Sequence, residues 1–237
     1  MRTGIPLVLS ITAFALGACL IIPSVRESRG MEAAGERTVT WSFDTEKVGV
    51  LPRNWKAATE AANWQVIGDD ASPSGKQVLA LVRHRQRSNS VRDCCWTDEV
   101  PFLDGEISVR FKAVAGDIEK GGGIAWRVKD ESTCYQVRTN YSPDGNSIGL
   151  YCMVKWNRVW KAYAKDVKLS VGKWHTLGVV HRGDNIKVYL DGKELLNVTQ
   201  KDSPLKRPGG VGVCTKGDAV TSFDDLTVKP VQEKAAR

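Results

Sequence analysis

The stretch KWHTLGVVHRGDNIKVYLDGKEL, residues 173–195, decides the fold class of this chain. Apolar and polar residues alternate along it, so Leu177 and Val179 share one face of an extended strand. The same alternation resumes after a break at 182–185 and stops again at Asp191-Gly192. An Asp-Gly pair is a strong signal for a two-residue hairpin, because Gly adopts positive φ without steric cost. The segment therefore predicts three antiparallel strands, each with one apolar face.

Short strands of this kind continue on both sides of that segment. GEISVRFKAVAG, residues 105–116, alternates apolar and polar residues in the same way, and turn signals recur about every 8–12 residues. No long segment shows the spacing of an amphipathic helix. This pattern predicts an all-β domain, either a sandwich or a barrel.

Composition limits the possible partners. The chain has 237 residues, of which 42% are apolar and 8% aromatic, enough for one sizeable core. The net charge of +7 favours anionic partners without naming one. The densest basic run, Arg83–Arg92, lacks the interleaved aromatics of a single-strand nucleic-acid groove, so no nucleic acid is expected.

The N-terminal residues predict export. An apolar run of signal-peptide length ends in Leu16-Gly17-Ala18-Cys19, which resembles a bacterial lipobox and implies cleavage before Cys19 and lipidation there. An uncleaved anchor over 5–23 and simple cleavage stay open as alternatives. We therefore divide the chain into a signal segment (1–19), a tether (20–38), a β-domain (39–230) and a tail (231–237). Each alternative places the domain outside the cytoplasm, and the first two tether it to a membrane.

Cysteine spacing suggests no metal site. No Cys-x-x-Cys pair occurs, so a zinc site is not expected. Cys134 and Cys152 flank a turn at Ser142-Pro143-Asp144-Gly145, and we expect them to come close.

Four stretches carry a resemblance to known proteins: GGGIAWRVKDESTCYQVRTN, a Gly-Lys-Trp-His strand, IKVYLDGKEL and GGVGVCTKGDAVTSFDDLTV. Between Thr40 and Pro230 they resemble the concanavalin A-like jelly-roll superfamily, and within it laminin-G-like modules and the 3-keto-disaccharide hydrolase-like family. The resemblance implies a two-sheet antiparallel jelly-roll sandwich, with any glycan site on the concave sheet or its rim. The Glu-x-Asp-x-x-Glu string of the superfamily's glycosidases is absent, which argues against retaining hydrolysis by two carboxylates.

Two arginines are the leading candidates for ligand binding. Alternation turns Arg127 away from Ile124 and Trp126, and it turns Arg138 away from Tyr135 and Val137. We expect both guanidiniums to flank one polar groove, where planar donor forks suit carboxylates or sugar hydroxyls. We expect Gln136 to lie between them and Tyr151 or Trp156 to lie at the rim. The alternative is that both arginines are solvated on an ordinary sheet face, while Trp160 is expected to pack in the core.

A structural calcium ion is implied by the same resemblance. In such jelly rolls an aspartate opening the last strand binds calcium with groups from the first strand, which here points to Asp224, Asp44 and Gly49. The alternative is that the aspartates at 224 and 225 cap a turn.

Three classes of function follow from these observations. The leading one is binding of a carbohydrate or anionic cell-envelope polymer, and the others are a glycoside-processing enzyme of the 3-keto-disaccharide hydrolase type and a structural interaction module. A histidine or carboxylate beside the two arginines would favour chemistry, whereas aromatic side chains alone would favour binding.

Overall fold

The computed structural model describes Met1 and residues 38–85, 88, 92–141 and 145–231. These residues form fifteen strands and no helix, and the strands pair antiparallel in two sheets. The all-β jelly-roll sandwich predicted from sequence is therefore confirmed. Because no helix occurs in the described ranges, none of them holds a helix long and apolar enough to span a membrane. Cys19, most of the proposed tether and residues 232–237 lie outside the described residues.

One sheet has eight strands in the order β13-β12-β11-β6-β15-β4-β3, with β1 paired to β15 at the side of this path. Its strands are β1 (Val39–Trp41), β3 (Ala62–Gly68), β4 (Gln77–His84), β6 (Gly105–Ala115), β11 (Trp174–Arg182), β12 (Asn185–Leu190), β13 (Lys193–Thr199) and β15 (Val220–Pro230).

The other sheet has seven strands in the order β10-β9-β8-β7-β14-β5-β2. Its strands are β2 (Trp55–Ala57), β5 (Arg92–Phe102), β7 (Gly123–Asp130), β8 (Thr133–Asn140), β9 (Ser147–Val154), β10 (Asn157–Lys165) and β14 (Gly209–Lys216).

The segment 173–195 forms β11, β12 and the start of β13, as its alternation predicts. Asp191 and Gly192 have φ values of 49° and 80°, so both central residues of the hairpin turn occupy the left-handed region. Leu177 and Val179 are buried in the core.

The core lies between the two sheets. Each strand contributes its inward-facing residues, and Trp126, Tyr135, Phe111 and Phe223 are fully buried there. Burying one large apolar side chain contributes about 1.5–3 kcal/mol, so this layer is the main source of stability. Trp160 packs against the same core, as expected.

A β-bulge in β7 changes the direction of Arg127. The pairing of β7 with β8 shifts register between Trp126 and Asp130, and Arg127 itself has a φ of 48°. Beyond this point the alternation is inverted, and Val128 joins the apolar cluster on the outer face instead of the core. The strict alternation assumed from the sequence therefore fails at Arg127, which turns inward.

Cys134 and Cys152 lie on neighbouring strands, but their side chains take opposite faces of the sheet. On neighbouring strands Cys134 pairs with Met153 and Cys152 pairs with Tyr135, so the two residues are one position out of register. Since side chains alternate along a strand, Cys134 points to the outer face and Cys152 to the core. All five cysteines of the described part are free thiols.

Candidate functional site

The outer face of the seven-stranded sheet collects polar side chains from five strands. Arg92 on β5, Gln136 and Arg138 on β8, Tyr151 on β9, Arg158 on β10 and Lys216 on β14 line one small recess together with Met153. We call this set the arginine face. The sequence-predicted residues Gln136, Arg138 and Tyr151 are thus brought together. Alternation along β8 places Gln136 and Arg138 on one face, and Tyr151 is paired with Gln136 on the neighbouring strand.

The sheet is concave at this face. The side-chain amide of Gln136 donates to the sulfurs of Cys94, at 3.0 Å, and Cys134, at 3.4 Å. Gln136 lies on β8 and Cys94 on β5, with β7 and β14 between them. Three strand spacings in a flat sheet are about 14 Å, farther than the two side chains can bridge. The contact therefore requires the sheet to curve toward this face.

Sulfur atoms form the floor of the concave face. Cys94, Cys134 and Cys214 are buried in the same outer cluster as Tyr151 and Met153. The hydrogen bond with Cys94 and then burial raise the pKa of Cys134 well above its ordinary value, so this thiol stays protonated. The floor is therefore apolar and uncharged, and the charges of the site lie above it.

Arg138 is held by a carboxylate from a loop. Its Nη1 donates to Oε2 of Glu119 at 3.3 Å, and Nζ of Lys216 bonds the other carboxylate oxygen. Asp218 in turn accepts hydrogen bonds from the backbone N–H groups of Ile118, at 3.0 Å, and Glu119, at 3.1 Å. Glu119 is only 7% exposed and Arg138 8%, so the guanidinium lies on the outer face but is largely covered.

Tyr151 forms the aromatic centre of the face. The guanidinium of Arg158 lies 5.7 Å from its ring centroid, and Tyr163 meets it edge to face at 5.6 Å. Burial raises the pKa of Tyr151 to about 12, so its hydroxyl is neutral at physiological pH and can both donate and accept hydrogen bonds.

A larger cleft adjoins the recess. It has a volume of about 480 Å³ and is lined by Arg92 and residues 156–161, so it shares Arg92 and Arg158 with the recess. Trp156 lines this cleft, is 47% exposed and has a φ of 65° where β9 turns into β10. The cleft is open to solvent and lies along the edge strand β10.

Arg127 does not belong to the arginine face. Its guanidinium donates to the carbonyl oxygens of Leu103, at 2.8 Å, and Leu205, at 2.7 Å, and to Oδ1 of Asp104 at 3.2 Å. It is 3% exposed. The expectation that Arg127 and Arg138 flank one groove is therefore not met, because the bulge sends the two side chains to opposite sides of the sheet.

His181 is the histidine beside Arg127, and its contacts keep it neutral. Trp126 Nε1 donates to His181 Nδ1 at 2.9 Å, so the ring proton of the neutral form lies on Nε2, which is 3.1 Å from the carbonyl oxygen of Gly183. Burial first, and then the charge of Arg127, lower the pKa of His181 to about 3. His181 therefore holds the interior together and is not exposed to a ligand at the arginine face.

Asp224 and Asp44 both hold the 72–77 turn. Asp224 Oδ2 accepts hydrogen bonds from Ser72 Oγ, at 2.7 Å, and the backbone N–H of Ser74, at 3.2 Å. Asp44 Oδ1 accepts from the backbone N–H groups of Lys76 and Gln77, at 2.9 and 3.2 Å.

Calcium requires a cage of oxygen ligands, and N–H groups cannot supply one. The third residue implied by the resemblance, Gly49, donates its N–H to the carbonyl oxygen of Val66 on β3. Nowhere in the described part of the chain do three or more His, Cys, Asp or Glu side chains group as metal ligands. The hydrogen bonds given above for Asp224 and Asp44 go to the 72–77 turn, and we expect these residues to hold it, while Asp225 pairs with Arg110; calcium binding, implied by the resemblance, stays the alternative.

Several residues of the site could not be identified from the sequence. Arg92 stands at the end of the basic run, and Arg158 follows Trp156 by two residues, yet neither position by itself indicates a shared recess. Glu119 and Lys216 meet across 97 positions of sequence. Local pattern holds no signal for such a contact, because it depends on how distant strands are placed.

Two antiparallel sheets with a polar concave face define a jelly-roll domain of the concanavalin A-like class. Residues 43–229 match the family described as 3-keto-alpha-glucoside-1,2-lyase-like domain. The chain belongs to this family. No curated protein matches the sequence.

Solved structures share this fold at low sequence identity. The carbohydrate-binding module CBM66 from Bacillus subtilis is similar with a TM-score of 0.55 and 16% identity, over 77% of this chain and 99% of that one. The β-glucanase of Bacillus licheniformis is similar with a TM-score of 0.54 and 11% identity, over 82% of this chain and 98% of that one. At these identities the similarity shows the fold alone.

Proposed function

We propose that this domain binds carbohydrate at the arginine face and the adjoining cleft. The observation that carries the proposal is the convergence of Arg92, Arg138 and Arg158, from three different strands, beside the rings of Tyr151 and Trp156. The partner would be a glycan or an anionic polymer of the cell envelope.

The chemistry of the face suits a sugar. Guanidinium groups offer planar donor forks that fix the orientation of hydroxyl or acid groups. Aromatic rings supply apolar contact area with a defined face, and Trp156 and Tyr163 are exposed by 47% and 44%. The carbohydrate-binding module and the β-glucanase named above have the same fold, which is consistent with a glycan partner.

The experiment measures binding to a panel of neutral and acidic polysaccharides by affinity electrophoresis and calorimetry. Trp156→Ala is the test variant, because this side chain is exposed and its removal leaves the core intact. We expect it to weaken binding roughly 10-fold, the loss of about 1–2 kcal/mol of stacking contact. Tyr189→Ala, an aromatic residue on the eight-stranded sheet, is the matched control and should bind like wild type.

Two results would contradict the proposal. Equal weakening by Trp156→Ala and Tyr189→Ala would place binding elsewhere or make it nonspecific. Binding to none of the polysaccharides would favour the third class, a structural interaction module.

A second candidate function is glycoside processing, and the family match together with Glu119 favours it. Glu119 is a carboxylate in contact with Arg138. A carboxylate is one of the side chains that act as a general acid or base. The test incubates the purified domain with 3-keto-α-glucosides and follows their loss. Turnover that disappears in Glu119→Gln, with melting temperature retained, would establish the enzyme; no turnover leaves binding as the function.

A further inference from the structure

The recess of the arginine face is lined mainly by cationic side chains. The recess is lined by four cationic side chains, Arg92, Arg138, Arg158 and Lys216, and none of its lining residues is acidic. Glu119 contacts two of the four, Arg138 and Lys216. Cationic side chains from four strands therefore line a single recess.

These charges lie close together, and Arg138 among them is largely covered. Arg138 is 8% exposed, and its neighbours Gln136 and Tyr151 are 5% and 8% exposed. Burial and then the nearby charges of Arg158 and Arg138 lower the pKa of Arg92, which is the response of a cation placed among like charges. A bound anion would offset this repulsion, because opposite charges attract at short range.

The positions of the recess and the cleft suggest how such a ligand would lie. The recess has room for about one water molecule, whereas the adjoining cleft has about 480 Å³. Arg92 and Arg158 line both, so they mark the boundary between them. An acid group at this boundary meets the cations while the ring that carries it occupies the cleft beside Trp156.

We propose that the carbohydrate recognised here is acidic, and that Arg92, Arg138 and Arg158 receive its carboxylate, sulfate or phosphate group. This inference rests on the proposed function, since it names the class of sugar that the same site takes. The acid group fixes the orientation of the ligand, and Gln136 and Tyr151 add neutral donors and acceptors beside it.

The experiment compares polymers that differ only in the acid group. The pairs are polygalacturonate and its methyl ester, dextran sulfate and dextran, and phosphomannan and mannan, each titrated against the full chain at low and moderate salt. We expect the acidic member of at least one pair to bind at least 10-fold more tightly, and the pair that responds identifies which acid is recognised. Binding of that polymer should weaken as salt rises.

Matched variants locate the effect. Arg158→Gln should weaken binding of the acidic polymer about 10- to 100-fold, the loss of one charge-assisted contact, and weaken binding of the neutral polymer less. Arg182→Gln removes an arginine from β11 of the other sheet, where it pairs with Glu106, and should bind like wild type.

The outcomes separate this inference from the function on which it rests. Equal binding of the acidic and neutral members of every pair overturns the acid preference and retains carbohydrate binding. Absence of binding to all six polymers overturns both. If Arg158→Gln and Arg182→Gln lose the same affinity for the acidic polymer, the effect is one of general charge and the assignment of the site is wrong. If single-stranded poly(dT) binds as tightly as the best polymer and depends on Arg158 in the same way, the ligand of this site is nucleic acid and not an acidic sugar.

Discussion

Nε1 of Trp126 donates to Nδ1 of His181 at 2.9 Å and joins the two sheets through the interior, while the guanidinium of Arg127 lies 3.1 Å from Nε2 of the same ring. Arg127 belongs to the seven-stranded sheet and His181 to the eight-stranded sheet. Around them Trp126 stacks on Tyr135 at 5.3 Å, and the His181 ring meets both edge to face. This buried polar cluster is a structural element, distinct from the arginine face on the other side of the sheet.

Loss of stability in acid is the first prediction. The pKa of His181 is about 3 in the folded protein and about 6.5 in the unfolded chain, so only the unfolded chain gains this proton between those values. The contribution of neutral His181 to the free energy of unfolding is therefore fully present above about pH 6.5. It falls as the pH drops toward 3, and about 3 kcal/mol is lost at pH 4. Urea unfolding at pH 7.5 and pH 4 measures it.

The variant for this prediction is His181→Gln, which removes the titrating ring from β11. It should lose about 3 kcal/mol less than wild type between the two pH values, whatever its stability at pH 7.5. If wild type and His181→Gln lose the same free energy, His181 already carries a proton in the folded protein.

Arg127 is predicted to be a stability residue. Arg127→Lys keeps the charge but not the donor fork, so the carbonyl oxygens of Leu103 and Leu205 lose donors. Each buried acceptor left without a donor costs about 1–3 kcal/mol, and we expect a total loss of at least about 2 kcal/mol in urea unfolding. Arg182→Lys, at an exposed ion pair, should change the free energy of unfolding by less than about 0.5 kcal/mol. Polysaccharide binding per folded molecule should be unchanged by either, and weakened binding in Arg127→Lys would return this residue to the site.

Asp224 is predicted to act by holding the 72–77 turn. Asp224→Ala removes the acceptor for Ser72 and Ser74 and should cost about 1–3 kcal/mol. Asp98→Ala, at an exposed pair with Lys56, should cost less than about 1 kcal/mol. We expect the same wild-type melting temperature in millimolar calcium and in chelator. A melting temperature that is higher in calcium than in chelator, with the difference lost in Asp224→Ala, would instead show that Asp224 binds a cation.

Membrane attachment tests the N-terminal proposal, which concerns residues outside those the structure describes. We propose that Cys19 is lipidated, because it follows Leu16-Gly17-Ala18 at the end of an apolar run. Cys19→Ala should abolish lipid labelling and release the protein from the membrane fraction. Continued fractionation with membranes at the full precursor mass would favour an uncleaved anchor.

Local alternation and turn chemistry determined the strands of this protein. The apolar residues of 173–195 predict three strands and their buried faces, because strand side chains alternate strictly wherever pairing is regular. Asp191-Gly192 predicts its hairpin because few residue pairs accept two positive φ values. The same alternation placed Gln136 and Arg138 on the outer face of β8.

Only the tertiary structure decided the composition of the site. The bulge that turns Arg127 inward depends on how β7 pairs with its neighbours, and nothing in residues 124–128 alone indicates it. Glu119 and Lys216, and Arg92 and Arg158, meet because sheet order and curvature bring distant segments together. Sequence pattern reports which face a residue takes within one strand, whereas contacts between strands far apart in the chain are set by packing of the whole sheet.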